Sequence, residues 1–444
     1  MHVDQHDLYA HPMDNNFLVL GNDGGVYTSQ NAGNTWTHLE NLPITQFYTS
    51  EIDQQHPERL YGGTQDNGTN RTLTGNIDDW HEIYGGDGFV VKVNPVNNQY
   101  VYAEYQYGGL GRSTNGGSSF MDATNGIGGS DRFNWMSPLT FNPANPAILY
   151  FGSNKVYKST NHAAGWSAIS PDLTNGPGQY NQMYGTTTTL SVSPINQNII
   201  YAGTDDGNVW VTQNGGSDWA KISGELPDRW VTRVSTDQFD EATAYVTLSG
   251  YRNDEYLSHI FKTTDFGQNW TDISGDLPES PINDIVVDPV YVPVLYVATD
   301  VGVFGTVNYG QNWIPVGEGL PNVPMMDLTF QPEMRMLVVA TYGRSMYKIT
   351  VDEFVGNTEV SATESGIRLY PNPATDVINI DFSGFDGQIS GIELFDAAGK
   401  VVQTLYVSHN ESKISMPLNR LASGVYFLQL QSSEGLVTKR IVVK

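Results

Sequence analysis

Residues 27–36 read YTSQNAGNTW, and the phrase returns as RSTNGGSSF (112–120), KSTNHAAGW (158–166), VTQNGGSDW (211–219), KTTDFGQNW (262–270) and GTVNYGQNW (305–313). Its closing aromatic falls at Trp36, Phe120, Trp166, Trp219, Trp270 and Trp313, and Trp80 joins them by spacing although GNIDDW has lost the rest. The intervals are 44, 40, 46, 53, 51 and 43 residues, the length of one four-stranded propeller blade. Within one period four strand-length runs recur, as in TTTTLSVSP, NIIYAGT, NVWVTQ and DWAKIS. Each gap carries Gly, Asn, Asp or Pro, the residues of tight reversals, so the runs are hairpin strands and not helices. A last set, LTFQP…MLVVAT…SMYKIT, has three runs and no fourth, and the fourth strand is expected from sequence upstream of this chain. Such units cannot bury both sheet faces alone and must stack around an axis. The expected fold is therefore all-β: a β-propeller of seven four-stranded blades plus a partial eighth repeat over residues 1–350, followed by a small β-sandwich domain.

The phrase sits between third and fourth strands, where the chain must reverse. Asn31, Asn115, Asn161, Asn214, Asp265 and Asn308 can bond the backbone of their own turn, glycine supplies the positive φ, and the aromatic fills space between sheets. These residues resemble the Asp-box, or BNR, repeat, Ser/Thr-x-Asp/Asn-x-Gly-x-x-Trp, of the propellers that include sialidases, xyloglucanase-like tandem propellers and sortilin-type receptors. The resemblance implies that the box is structural; KSTNHAAGW departs from it by carrying Ala163 at the first glycine position. In a four-strand meander all boxes fall on one face, and the second-to-third turns and the links between blades fall on the other. That second face is rich in Tyr, Asp, Asn and Gln, side chains that stack on and bond to sugars or protein surfaces. Its candidate binding residues are Tyr105, Tyr107, Trp135, Tyr180, Tyr184 and Tyr251.

The best carboxylate pair there is Asp66 in GGTQDNGT with Asp87 in YGGDG. Glycoside hydrolysis needs two such groups about 5 to 9.5 Å apart, and the flanking glycines would let a substrate approach the backbone. Both stretches also read as plain hairpin turns. Glu104, Asp131, Asp254 and Glu255 are alternates on neighbouring loops. A sialidase would need three arginines converging on the substrate carboxylate; Arg71, Arg132, Arg252 and Arg344 lie in irregular loops, without an Arg-Ile-Pro signature. HVDQH places His2, Asp4 and His6 two residues apart, so on a first, innermost strand they would share one side as a candidate metal site. No cofactor is demanded. Calcium is the ion to consider at GNDGG (21–25) and GTDDGN (203–208), but neither has the carboxylate spacing of a calcium loop.

The 444-residue chain has 46 Gly, 25 Tyr, no Cys and a net charge of −26. That charge excludes a phosphate backbone as partner, so no nucleic acid is expected. No run of 18 apolar residues exists to span a membrane as a helix. Absence of cysteine fits a surface or secreted bacterial protein.

Composition changes near residue 350. VDEFVGNTEVSATESG (351–366) is polar and aperiodic and reads as a linker. Residues 367–444 carry seven basic and seven acidic residues and alternate as a small sandwich does. This tail resembles the C-terminal sorting domain of type IX secretion cargo through LYPNPATD (369–376), ELFDAAGKVV (393–402), LASGVYFLQL (421–430) and the ending KRIVVK. Tyr370, Pro371, Asn372, Pro373, Gly424 and Tyr426 carry the likeness. It implies export across the outer membrane of a Gram-negative bacterium, with the type IX machinery as one partner and a polysaccharide or surface protein as the other. Such cargo begins with an export signal, whereas HVDQHDLYAHP already reads as a strand, so the chain is expected to be part of a longer protein. Two functions remain open: a glycan- or protein-binding module working through the loop face, or a glycoside hydrolase using paired carboxylates on it.

Overall fold

A computed structural model describes residues 1–178, 184–351, 367–385, 389–396, 400–407, 412–432 and 435–444. Tyr180 and, beyond Val351, the expected linker lie outside the described residues. Two compact units are present: Met1–Val287 with Tyr296–Gly305 and Trp313–Ile349, and Asp288–Leu295 with Thr306–Asn312 and Thr350–Lys444.

Seven four-stranded antiparallel meanders and one three-stranded sheet follow one another along the chain. We number them I to VIII: residues 5–38, 51–84, 91–122, 139–168, 187–221, 230–272, 282–315 and 325–350. Second strands such as Ile200–Thr204 and Met336–Thr341 are buried along their whole length because a neighbouring sheet covers each face, whereas that of blade I, Asp14–Asn22, is buried only at Leu20 and Asn22. Six of the fourth strands are two exposed residues long, as at Thr271–Asp272, while that of blade II runs over Trp80–Tyr84.

Each box folds as a closed hydrogen-bonded turn. In six of them the Ser or Thr hydroxyl donates to the Asn or Asp carboxamide or carboxylate oxygen two residues on and accepts the N–H four residues on; for Ser113 these bonds are 2.8 Å to Asn115 and 2.9 Å from Gly117. Ala163 fits the glycine position by adopting φ +58° itself. Ser113 is fully buried. Ser113→Ala therefore strands the Gly117 N–H and is expected to cost about 1–3 kcal/mol in chemical denaturation. A loss below ~0.5 kcal/mol would show that the box turn stands without its hydroxyl.

The ring closes between blade VIII and blade II, with blade I outside it. Ser50 N–H donates to Asp327 at 2.9 Å, Thr329 donates to the Ser50 carbonyl at 2.8 Å, and Phe47 N–H donates to the Thr341 carbonyl at 3.2 Å. Ile52 and Leu60 pack against Met336 and Val338, with Trp80 and Met346 alongside. Blade I instead leaves its first strand, Gln5–His11, almost wholly exposed. It touches the ring at the 64–68 turn, where Asn67 Nδ2 donates to the Asp23 carbonyl at 2.8 Å. The histidine expectation is corrected accordingly: His2 and Asp4 precede the strand, and that strand is not innermost.

In the second unit, strands Arg368–Tyr370, Val377–Asp381 and Lys413–Pro417 form one sheet, and Ile389–Phe395, Val401–Tyr406, Gly424–Ser432 and Gly435–Val443 form another. Ile378, Ile380, Ile392, Leu428 and Ile441 fill the core between them. Asn372 clamps the last strand, donating to the Arg440 carbonyl and accepting Val442 N–H, both at 2.9 Å. Tyr426 donates to the Ala422 carbonyl at 2.9 Å and thereby fixes the turn before its strand, which opens at Gly424.

Candidate functional site

The loop face gathers Asp66 and Asp87 because two backbones touch. A Cβ on Gly63 would lie 2.1 Å from the Phe89 carbonyl oxygen, and one on Gly88 would lie 2.2 Å from that of Gly68. These glycines serve the approach of the 62–68 turn to the 84–89 link, and so they leave no room there for a substrate. Asp66 takes φ +60°, and its N–H donates to Asp87 Oδ1 at 2.6 Å. The other oxygen of Asp87 accepts from Gln106 Nε2. Burial, with Asp87 and Asp23 beside it, pushes the Asp66 carboxyl above its ordinary range. Both oxygens of Asp87 are thus engaged by protein donors, whereas a nucleophile or base on a glycosidic bond needs a free one.

An aromatic cluster adjoins the pair. Tyr107 meets Trp135 edge-on at 5.1 Å and Tyr184 at 6.2 Å. Trp135 reaches Phe89 at 5.4 Å, and Phe89 reaches Tyr48 at 5.0 Å. Tyr48 donates to Gln65 Oε1 at 2.9 Å; burial is the main cause that pushes its hydroxyl up to about 12, and Asp87, Tyr342 and Asp66 add to it. These residues come from second-to-third turns and inter-blade links, the elements that topology assigns to this face. Tyr107 is 52% exposed and holds φ +56°, a strained conformation for a tyrosine. Tyr105 leans on Tyr84 at 5.9 Å instead, and Tyr251 on Tyr256 at 6.5 Å, so neither joins the cluster. Tyr48 carried no signal in the sequence beyond residue type, while Gln65, Gln106 and Tyr342 stand in loops that the topology assigns to this face, GGTQDNGTNRT, EYQYGGLG and TYGRS, without being singled out there.

The alternates are engaged elsewhere. Glu104 is fully buried, and both its oxygens accept Ser137 N–H, at 2.8 and 3.1 Å; burial holds it far above the carboxylate range. Asp131 resists the upward pull of burial because Tyr157 and Lys155 bond it, and it ends below its ordinary range. Asp254 terminates a short 3-10 turn at φ +56°, and Glu255 is bonded by Arg229 and, at 2.9 Å, by His259. The four loop arginines do not converge. Arg71 holds the Gly116 carbonyl, Arg132 holds Asp172 at 2.8 Å, Arg252 covers Trp230 at 4.2 Å, and Arg344 bonds the Gly343 carbonyl. Asp205 of GTDDGN is buried and accepts the N–H groups of Tyr184, Gly185 and Thr186, so it anchors a link. His2, Asp4 and Asp23 bring ligand-type atoms within 4.8 Å of one another, and His6 is bonded to Asp23 without belonging to that set.

Residues 368–444 match the family described as the secretion system C-terminal sorting domain. A xyloglucanase from Hypocrea jecorina (strain QM6a) is 26% identical over 233 residues, covering 44% of this chain and 27% of that protein. The Niastella koreensis GH74 enzyme superposes with a TM-score of 0.55 at 17% identity, over 90% of this chain and 66% of that one. YCF48 from Cyanidioschyzon merolae gives a TM-score of 0.51 at 12% identity, over 69% of this chain and 96% of that one. The chain thus spans less than two thirds of the first two relatives. At these identities the structural likenesses show the fold alone. No helix among the described residues is long and apolar enough to cross a membrane. Residues 368–444 match a secretion sorting domain, which marks the chain for secretion by the type IX system, and blades II to VIII close a β-propeller ring similar in fold to the GH74 enzyme and YCF48.

Proposed function

We propose that the protein binds a neutral polysaccharide across its loop face, with Tyr107, Trp135 and Tyr184 as the stacking platform. The observation that carries this reading is the exposed, positive-φ Tyr107, supported edge-on by two further aromatics and rimmed by Gln65, Gln106 and Asp66. Flat apolar faces beside carboxamides suit a sugar ring, which offers C–H patches and hydroxyls together. A net charge of −26 disfavours anionic glycans, and the xyloglucanase relative makes xyloglucan the first ligand to try. Hydrolysis is the second reading. The raised Asp66 carboxyl favours it, while the engaged oxygens of Asp87 oppose it.

Both readings meet in one experiment: electrophoresis of the protein through gels containing xyloglucan, other neutral glucans or pectin, with a reducing-end assay on the same polysaccharides. Retardation by a neutral glucan without new reducing ends is the expected result. Retardation by none of them would overturn the binding proposal and direct attention to a protein ligand. Reducing ends that vanish in Asp66→Asn would replace binding with hydrolysis.

A further inference from the structure

Three segments far apart in sequence meet at one corner of blade I: residues 2–4, the 21–25 turn GNDGG and the 64–68 turn of blade II. Asp23 N–H donates to the Asp4 carbonyl at 3.2 Å, and the Asp23 carbonyl accepts from Asn67 Nδ2 at 2.8 Å. Gly24 lets the turn close on the first segment, since a Cβ there would lie 2.9 Å from that of His2. With its backbone held from both sides, Asp23 joins His2 and Asp4 in a set whose ligand-type atoms all lie within 4.8 Å of one another. Sequence spacing grouped His2 and Asp4 with His6, but the fold puts Asp23 in that place.

The two nitrogens of His2 are fixed in different roles. Nε2–H donates to the Asp66 carbonyl at 3.3 Å, and Nδ1 accepts the Asp4 N–H at 3.2 Å. Both contacts select one neutral tautomer, with the proton on Nε2 and the lone pair on Nδ1. Metal-bound imidazoles are held in this manner, one nitrogen on the ion and the other donating to a carbonyl. Asp4 Oδ2 stands 3.6 Å from Nδ1, and a tetrahedral zinc ion sets its ligand atoms about 3.4 Å apart. The Asp4 side chain is 64% exposed and has room to rotate inward. His6 Nε2 bonds one oxygen of Asp23 and so orients that carboxylate from behind. The long Asp4 N–H contact is the bond that an ion on Nδ1 displaces.

We propose that His2 Nδ1 and the carboxylates of Asp4 and Asp23 bind one divalent ion of the zinc class, with water completing its coordination and His6 supporting Asp23. An imidazole nitrogen with two carboxylates suits zinc. Calcium takes about six to eight oxygen ligands, which two carboxylates do not supply. The ion ties blade I to the 64–68 turn, because the imidazole that holds it also donates to the Asp66 carbonyl.

The probe is Zn²⁺ itself, titrated calorimetrically into the full chain after treatment with EDTA, with Ca²⁺ titrated in parallel. One zinc site per chain is expected, weaker by roughly tenfold or more in Asp4→Asn and in His2→Ala. His11→Ala, at a blade I histidine outside the set, should bind as the native chain does. Asp4 is exposed, so its variant should melt like the native chain without the ion, which separates lost binding from lost folding. Zinc should also slow hydrogen exchange in the 64–68 turn of the native chain and leave it unchanged in Asp4→Asn. Four outcomes overturn the proposal. The first is no saturable zinc binding, or zinc bound without slower exchange in that turn. The second is equal affinity in Asp4→Asn, or an equal loss in His11→Ala, which would mean adventitious chelation only. The third is calcium binding as tightly as zinc. The fourth is binding that disappears when residues are added before Met1, which would make a terminal amine the ligand.

Discussion

Arg233→Met is expected to remove about 3–5 kcal/mol of folding stability at pH 8, and clearly less at pH 5. Arg233 lies on the first strand of blade VI and bonds Asp284 of blade VII at 2.6 Å and Asp327 of blade VIII at 2.7 Å. Asp327 in turn accepts both the N–H and the hydroxyl of Ser50, so the guanidinium belongs to the ring's closing contact. Its side chain keeps 30% of its surface, on the inner strands, while Asp284 keeps 4%. Removing the cation leaves Asp284 buried beside a second carboxylate with nothing to balance either.

The pH dependence follows from Asp284. Burial pushes its carboxyl up to about 7, against the pull of Arg233 and with Asp327 adding to the rise. A carboxyl whose folded value lies above its unfolded one binds more protons folded than unfolded, so its contribution to stability falls as pH rises from about 4 to about 7. Without Arg233 the value climbs further, Asp284 stays protonated to higher pH, and at pH 5 its charge is absent. Denaturant titrations followed by tryptophan fluorescence at the two pH values will measure this. A cost below ~1 kcal/mol, or one equal at both pH values, would mean that the pair contributes no more than an exposed ion pair does.

Tyr107→Ala should weaken retention on the bound glucan roughly tenfold, about 1.4 kcal/mol, with no change in melting temperature. The ring is half-exposed and packs only edge-on, so little core is lost with it. Tyr107→Phe should keep most of the affinity, because stacking needs the ring face and not the hydroxyl. Trp135→Ala should lose at least as much affinity but also some stability, since Trp135 supports Phe89 as well. Equal affinity of Tyr107→Ala and the native protein would move the ligand away from this platform. Gel retardation and calorimetry on the same preparations give both quantities.

Much of this molecule was legible in one dimension. The recurring phrase fixed the strand count per blade, the positions of the box turns and the face they occupy, because turn chemistry and strand alternation act within a few residues. The sorting tail was readable for the same reason, in contiguous stretches such as LYPNPATD. That loops at 62–72 and 84–88 would share a face also followed from topology, and Asp66 and Asp87 do meet.

The tertiary structure decided which ends join and which groups remain free for chemistry. Blade VIII docks on blade II, not on blade I, through bonds such as that between Ser50 and Asp327, 277 residues apart, and through Trp80 packing near Met336. No repeat period records that choice, because every blade presents nearly the same faces and only side-chain fit around the whole ring discriminates among them. Likewise an aspartate in a glycine-rich turn reads the same whether its oxygens face a ligand or, like those of Asp87, are already bonded to Asp66 and Gln106. Local sequence determined the blades, while long-range packing determined the ring and the state of its acids.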